Sequence, residues 1–489
     1  MKSETLIGLT AALLLSSAAA RADVEISAKA TSNMSCDAGV CTATAQKAVL
    51  NVSDLATMLA SGDVAVKTGL VAKDIGIDQP LQWTNTSRLT LDAQQSVTVK
   101  KQITVAGTGA LTVITNDSGG AKGKSKTGEF IIVPERGSVQ FWDLGSSLII
   151  DGNSYTLVGD IKTLASDIAA NPSGFYALAK PYDASVDGAY TTAPVATTFG
   201  GTFDGLGNSI SNFSMRHSDG GLYAFFAWIA QPGVVRDVRL SKVDLVIEDG
   251  GDDLGDVATL VLINEGALLR SSASGSIKLP LNGGINTGGL VAESLGLVRN
   301  SYAHIGISIE HANYVGGLVG ASSGKVERSY ADGTIRARYS AANFGGLVGY
   351  NIGAISNSYS LTNMTVGKQN LNGSFGGMIG TNNSGATVVS SYVGGTFQQK
   401  KPNNSVFAGG VVGSDNAPGS FSDTYWDLDK GISDPSQGAG NVPNDPGIVG
   451  LTDVQLKAGL PSGFDPRVWA IGPNTNGGFP YLVDIPPRD

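Results

Sequence analysis

Paired glycines recur along the second half of the chain at 288–289, 316–317, 345–346, 376–377 and 409–410, at spacings of 28, 29, 31 and 33 residues. A tyrosine follows each pair, as Tyr302, Tyr330, Tyr359, Tyr392 and Tyr425, spaced by 28, 29, 33 and 33. The phrase is fullest in "FGGLVGYNIGAISNSYS" (344–360), and it returns as "VGGLVGASSGKVERSY" (315–330) and "FGGMIGTNNSGATVVSSY" (375–392). Two degenerate copies precede it, at 221–247 and 257–277. A drifting period of about thirty residues marks stacked supersecondary units, each covering the next.

The units lack helical periodicity and hold too much Gly and Asn for helices. Short β-prone pieces such as "FGGLVGY", "AISNSYS" and "MTV" instead fit three strands per turn of a coil. Stacked coils pair each strand in parallel with its counterparts, about 4.8 Å away. Leu347, Ile355 and Met364 then meet residues of like type, and glycine permits tight corners and close backbone approach. The expected fold class is all-β: a parallel β-helix, or solenoid, with one or two short helices and a non-repetitive C-terminal cap. With 66 glycines and only 15% charged residues, the composition suits such a backbone-rich architecture.

Alternation extends the β reading toward the N-terminus, in "LTLDA" (89–93), "SVTVKKQITVAG" (96–107) and "ALTVIT" (110–115). A helix is predicted over 52–63, with Asp54 near its start and Gly62 as its stop. A second is predicted over 159–174, capped by Asp160, with Ile161, Leu164 and Ile168 as its buried stripe. The end coils need covers. The helix at 159–171 and the tail 426–489 are the candidates, with Trp469, Phe479 and Tyr481 expected to seal the last coil. The resulting division is a leader (1–22), a loosely held start carrying a disulfide (23–45), an N-terminal β-helical region (46–158), a helix-and-strand lead-in (159–220), the repeats (221–425) and the cap (426–489).

The leader "MKSETLIGLTAALLLSSAAARADVEI" has a basic start at Lys2, an apolar run from Leu6 to Ala20, and an A-x-A site that places cleavage between Ala22 and Asp23. The run is shorter than the ~18 residues a membrane span requires, and no other stretch is long and apolar enough. Export to the medium or cell surface, or to the periplasm, is expected. In an oxidising compartment Cys36 and Cys41 read as a short-range disulfide. The formal charge is −9, and loss of Lys2, Arg21 and Glu4 leaves −10, which opposes binding to nucleic acid or anionic membrane.

These residues carry a resemblance. "FGGLVGYNIGAISNSYSLTNMTV" resembles the GLUG motif of exported bacterial surface proteins, while "FGGTFDGLGNSISNFSM" and "YWD…GLTDVQL…WAI…GGFPYL" resemble segments that flank it. "LATMLASGDVAVKTG" followed by "RLTLDAQQSVTV" is similar to the β-helical part of filamentous-haemagglutinin-like adhesins. The resemblance implies a right-handed parallel β-helix, bacterial origin and a surface or adhesion role. GLUG repeats also accompany some immunoglobulin-cleaving metallopeptidases, but His217, His304 and His311 form no His-Glu-x-x-His motif.

Catalytic chemistry finds little footing. Between Gly333 and Ser414 there is no Asp, Glu or His, and the acids Glu293, Glu310, Glu327 and Asp332 do not share one column of the repeat. The densest acidic run, "EDGGDDLGD", offers Asp249, Asp252, Asp253 and Asp256 as calcium ligands, though its spacing matches no defined loop. Asp427 and Asp429 lack a distal glutamate and read as a turn. No cofactor is expected. The leading expectation is a non-catalytic β-helix that binds an extracellular glycan, matrix component or host-surface protein. The alternative is a polysaccharide lyase or glycosidase with its site in 200–260, pairing Asp204 or Asp244 with Asp249 or Asp253. The tyrosine column reads as core packing, or, if exposed, as a sugar-stacking row.

Overall fold

The computed structural model describes residues 23–117, 128–217, 221–247, 255–282, 286–338, 343–367, 373–399 and 407–487; the expected leader, with Ala22, lies outside them. The chain is all-β, with α-helices α1 (Val52–Ser61), α2 (Ile161–Ala170) and α3 (Asp453–Lys457). Asn51 caps α1, its side chain accepting from Ser53 and Asp54 N–H, with Asp54 in the first turn and Gly62 at the stop as expected. Asp160 caps α2, and Ile161, Leu164 and Ile168 are its buried face.

Each repeat unit gives one strand to a seven-stranded parallel sheet, all but the first give one to a six-stranded parallel sheet, and others join a long third sheet. Like residues meet in register. Val261, Val291, Val319, Val348, Ile379 and Val412 form one column. Leu268, Val298, Val326, Ile355, Val388 and Phe421 form another. All of these side chains are buried, so each unit's apolar face is covered by its neighbours. The second glycine of each pair allows the close stacking. A Cβ on Gly317 would overlap the Gly346 carbonyl, and one on Gly346 would overlap that of Gly377.

The corner before each tyrosine is held by a hydroxyl ladder. Ser271 N–H donates to Ser301 Oγ (3.1 Å), Ser301 N–H to Ser329 Oγ, Ser329 N–H to Ser358 Oγ and Ser358 N–H to Ser391 Oγ (each 3.2 Å). Each hydroxyl then donates to the carbonyl two residues back, as Ser329 Oγ does to Glu327 (2.9 Å). The residue ahead of each serine turns the corner with positive φ, and so does Asp237 ahead of Val238: Asp237, Arg270, Asn300, Arg328, Asn357 and Ser390 lie between 46° and 54°. Behind the serines, Tyr302, Tyr330, Tyr359 and Tyr392 stack with ring centroids 4.8, 4.6 and 5.1 Å apart.

Residues 23–45, expected as a loosely held start, are instead built into the sheets. Val24 and Ile26 are fully buried, and Asp23–Ser27 lies in parallel between Ala48–Asn51 and Asp74–Ile77. Cys36 and Cys41 face each other across an antiparallel pair and are disulfide-bonded. The N-terminal strands form parallel sheets that continue through Arg88–Asp92, Ala110–Ile114 and Ser147–Ile150. There the chain reverses. Asp151-Gly152 turns it into Asn153–Val158, antiparallel to the strand before and parallel to Phe175–Leu178 after.

This reversal places two cores on opposite faces of one strand. Tyr176 and Leu178 belong to the core of the repeats, and Ala177 between them belongs to the N-terminal core. The N-terminal sheets therefore do not simply prolong the repeat column. Their outer face comes back against its corner, through Glu129 and Glu135.

The tail corrects a further expectation. Trp426 and Ala439 close the last unit's core, with Leu428, Val442 and Ile448 packed on it. Trp469 and Phe479 lie instead along the tyrosine ladder, with Leu456, Phe464, Leu482 and Ile485. Tyr481 pairs with Ala470 in a small antiparallel ribbon. Trp469 Nε1–H donates to Asn357 Oδ1 (3.2 Å), and Tyr392 OH donates to the Pro480 carbonyl (2.7 Å).

Gly317→Ala is expected to lower stability by about 1–3 kcal/mol, because overpacking forces backbone shifts. Gly200→Ala, where a Cβ meets no atom within 4 Å, is expected to change it little. Urea unfolding of the two variants beside the parent makes the comparison.

Candidate functional site

Alternation on the N-terminal sheet sets one wall of a groove of about 760 Å³. Ile75 and Ile77, Val97 and Val99, and Phe130 and Ile132 point into the core, so Asp74, Thr98 and Ile131 face outward. The opposite wall is the corner column of the repeats, with Arg270, Asn300 and Arg328, together with Arg299 and, from the tail, Asp484. Lys73 stands at the rim beside Asp74.

Glu129 bridges the walls. Its Oε2 accepts from Arg270 Nη1 and its Oε1 from Arg299 Nη2, both at 2.8 Å. Arg270 is almost wholly enclosed. Its Nε and Nη2 also form a fork on Asp237 (2.8 and 3.0 Å), and Nη2 reaches the Phe130 carbonyl (3.3 Å). Burial pushes Asp237 up to about 6 against the pull of that guanidinium. Burial would also raise Glu129, but Arg270 and Arg299 outweigh it and hold the carboxyl below its ordinary value. Deeper in, Asp204 is fully buried and paired with Arg236 Nε at 2.7 Å. Beside the groove Tyr302 OH donates to Glu135 (2.6 Å), and Arg239 pairs with Glu135 at 3.3 Å.

The remaining carboxylates of the groove also have partners: Asp74 Oδ1 accepts from Ser96 N–H (2.8 Å), and Asp484 Oδ2 lies 3.6 Å from Arg328 Nη1. Two buried polar atoms have none among the described residues, namely Arg328 Nε, a donor, and Asn300 Oδ1, an acceptor. Such atoms cost free energy unless a ligand or water meets them. The groove's lining is predominantly polar, and Glu129 within it is held ionised by its two guanidinium partners.

Sequence reading did not find this site, whose walls come from residues some 200 apart. The residues it did single out lie elsewhere. Asp249, Asp252 and Asp253 fall outside the described residues. Asp256 accepts from Asn286 N–H (3.0 Å) and Nδ2 (3.2 Å), and burial raises its carboxyl. Among the described residues no three His, Cys, Asp or Glu side chains gather as a metal site. Asp204 and Asp244 are separately engaged, Asp204 with Arg236 and Asp244 with Arg216 and Ser276 (2.9 Å). His304 Nδ1 lies 3.0 Å from Asp332 Oδ1, and the side chains of His217 and His311 are outside the described set. Asp427 Oδ1 accepts from Asp429 N–H in a turn (2.9 Å). The tyrosine column is buried from Tyr302 to Tyr425, which removes it as an exposed sugar-stacking row. No described helix is long and apolar enough to cross a membrane.

The GLUG motif matches residues 311–336. No curated protein matches the chain. Among solved structures, a "putative immunoglobulin A1 protease" from Bacteroides ovatus is 14% identical, over 68% of this chain and 92% of that one, with a TM-score of 0.41. At that score the likeness decides neither fold nor activity.

Because the folded-state value of Glu129 is depressed, its contribution to stability is present above about pH 4.3 and is lost as pH falls through the depressed value. Glu129→Gln is expected to remove this part of the acid sensitivity. Melting temperatures measured between about pH 7 and about pH 3.5 should fall less steeply in the variant than in the parent.

Proposed function

We propose that this chain is an exported bacterial surface or extracellular protein, built as a right-handed parallel β-helix, that binds a glycan, matrix component or host-surface protein without chemically altering it. The observation that carries this reading is the groove between the N-terminal sheet and the repeat corner. It is polar and open, and Glu129, Asp74 and Asp484 are all committed to partners within it. Glycoside hydrolysis commonly needs one carboxyl that stays protonated near neutrality and another free to act as base or nucleophile. Glu129, clamped by two guanidinium groups, suits neither role.

Further support comes from the chain itself. In-register units fit a rigid display surface, and the disulfide fits an oxidising compartment. The GLUG match fits the exported bacterial proteins that the sequence resembles. The leader and its cleavage point between Ala22 and Asp23 supply the route out of the cytoplasm.

Two measurements on the secreted protein test this. Against a panel of glycans and matrix proteins it should bind at least one class, and its mature N-terminus should read from Asp23. Incubated with a panel of polysaccharides, it should release neither new reducing ends nor unsaturated products. Sustained turnover on any of them would replace the binding reading with an enzymatic one.

A further inference from the structure

We propose that Asp415, which ends the last repeat unit, and Asp445, in the tail that covers it, hold one proton between them, and that this proton latches the cap. Consecutive units place Asn264, Ser294, Ser322, Asn351, Asn382 and Asp415 in one register column, all buried. The inner members are neutral and pass hydrogen bonds along it. Asn351 Nδ2 donates to Asn382 Oδ1, and Asn382 Nδ2 to Asp415 Oδ1, both at 2.9 Å. Of the six only the last is an acid, and the layer above it is the tail. Asn441 straps that layer down, accepting from Asp415 N–H (2.7 Å) and donating to its carbonyl (2.9 Å). Gly410 N–H donates to the Gln437 carbonyl, and Gly440 N–H to that of Val412. Asp445 then comes within hydrogen-bonding reach of Asp415.

Each carboxyl has one oxygen satisfied and one stranded. Asp415 Oδ1 also accepts from Ala417 N–H (3.1 Å), and Asp445 Oδ1 from Gly419 N–H (3.2 Å). Both Oδ2 atoms are buried with no hydrogen-bond partner among the described residues, on side chains of residues only 2% and 3% exposed. Two ionised carboxylates would set acceptor against acceptor there. One proton turns one of them into the donor that the other requires. A proton needs no cavity, so enclosure is no bar to it. Around the pair stand the Asn382 and Asn441 amides and the Ala417 and Gly419 N–H groups, and among the described residues the only charge acting on Asp445 is that of Asp415. Burial, and then Asp415, push Asp445 up to about 7. With the cap open it would titrate near its ordinary value of about 3.9. Closure is therefore strongest below about pH 4, weakens as pH rises to about 7, and is level above that. Within that window the opening constant rises by up to about tenfold per pH unit. Opening bares the edge of the last unit at Val412–Asp415.

Hydrogen exchange of the full, disulfide-bonded chain, with a calcium chelator present and intrinsic rates divided out, reads the cap at the amides of Gly410, Val411, Val412 and Gly440. In the parent, opening should rise at least about tenfold between about pH 5 and about pH 7. Asp445→Asn and Asp415→Asn should each flatten that rise, since an amide Nδ2–H donates to the facing Oδ2 at every pH. Burial also raises Asp237, but that group lies at the opposite end of the repeats, so the readout is confined to the cap amides. Relative to the parent, Asp445→Asn should gain melting temperature as pH rises from about 5 to about 8, a gain that loss of a packing contact would not give. At about pH 6, infrared difference spectra should show in the parent a protonated carboxyl that Asp445→Asn lacks. The same exchange profile in the parent and both variants, or no such carboxyl band, would overturn the proposal. So would closure of the cap by added calcium at about pH 8 in the parent but not in Asp445→Asn, which would make the pair a cation site instead.

Discussion

At the corner of five consecutive units a serine hydroxyl (Ser271, Ser301, Ser329, Ser358, Ser391) accepts the backbone N–H of the equivalent residue one unit earlier and donates to a carbonyl of its own strand. That pair of bonds fixes where a unit begins relative to its neighbour. The chain around it is in the left-handed region, where a β-ladder cannot supply the missing partners. With the corner pinned, register along the rest of the unit follows: valine on valine, leucine on valine, tyrosine on tyrosine. A slip of one residue would turn every apolar side chain outward and leave a row of buried amides unpaired. The repeats depend on this hydroxyl column more than on any single apolar contact.

The groove follows from the same corner. Residues there project away from the core because the backbone turns beneath them, and the N-terminal sheets are brought back to face them by the reversal at Asp151-Gly152. Glu129 and Glu135 then clamp sheet to corner through Arg270, Arg299 and Arg239. Buried ion pairs of this kind contribute modestly to net stability but specify geometry, since a misdocked arrangement would strand an enclosed charge. The polar space left between the clamped walls is a by-product of that specificity.

Much of the repeat architecture was legible in the sequence, and the reason is mechanical. Where one backbone must rest on another, Gly317 and Gly346 admit no Cβ, so the chemistry shows as an invariant letter at each period. The tyrosines, stacked ring on ring, are visible for the same reason, as are the Asp160 cap and the buried stripe of α2. The turning corner itself was hidden, because Asp237, Arg270, Asn300 and Arg328 all adopt it and share no single side-chain type. The reversal at Asp151-Gly152 is locally an ordinary turn. Nothing nearby says that the core will change faces, so the return of the N-terminal sheets, the groove and the ordered strands of 23–45 were all out of reach. The tail misled for a related reason. Its aromatics announce that something apolar is covered, but not whether it is an end or a side.

The path of that tail sets a limit on the size of the molecule. It leaves the last unit, touches Tyr425 through Ser462 and Ser390 through Gly463, reaches Asn357 with Trp469, and arrives at Arg328 with Asp484. It thus measures off the final units one at a time, as a ruler laid along the column. Inserting one more unit would lengthen the column by about 4.8 Å and leave the ruler too short to touch Arg328. The number of units from Arg328 to Tyr425 is therefore tied to the length of a segment that is itself not repetitive, and a chain that gains a unit within that span must lengthen the tail or surrender its far contact.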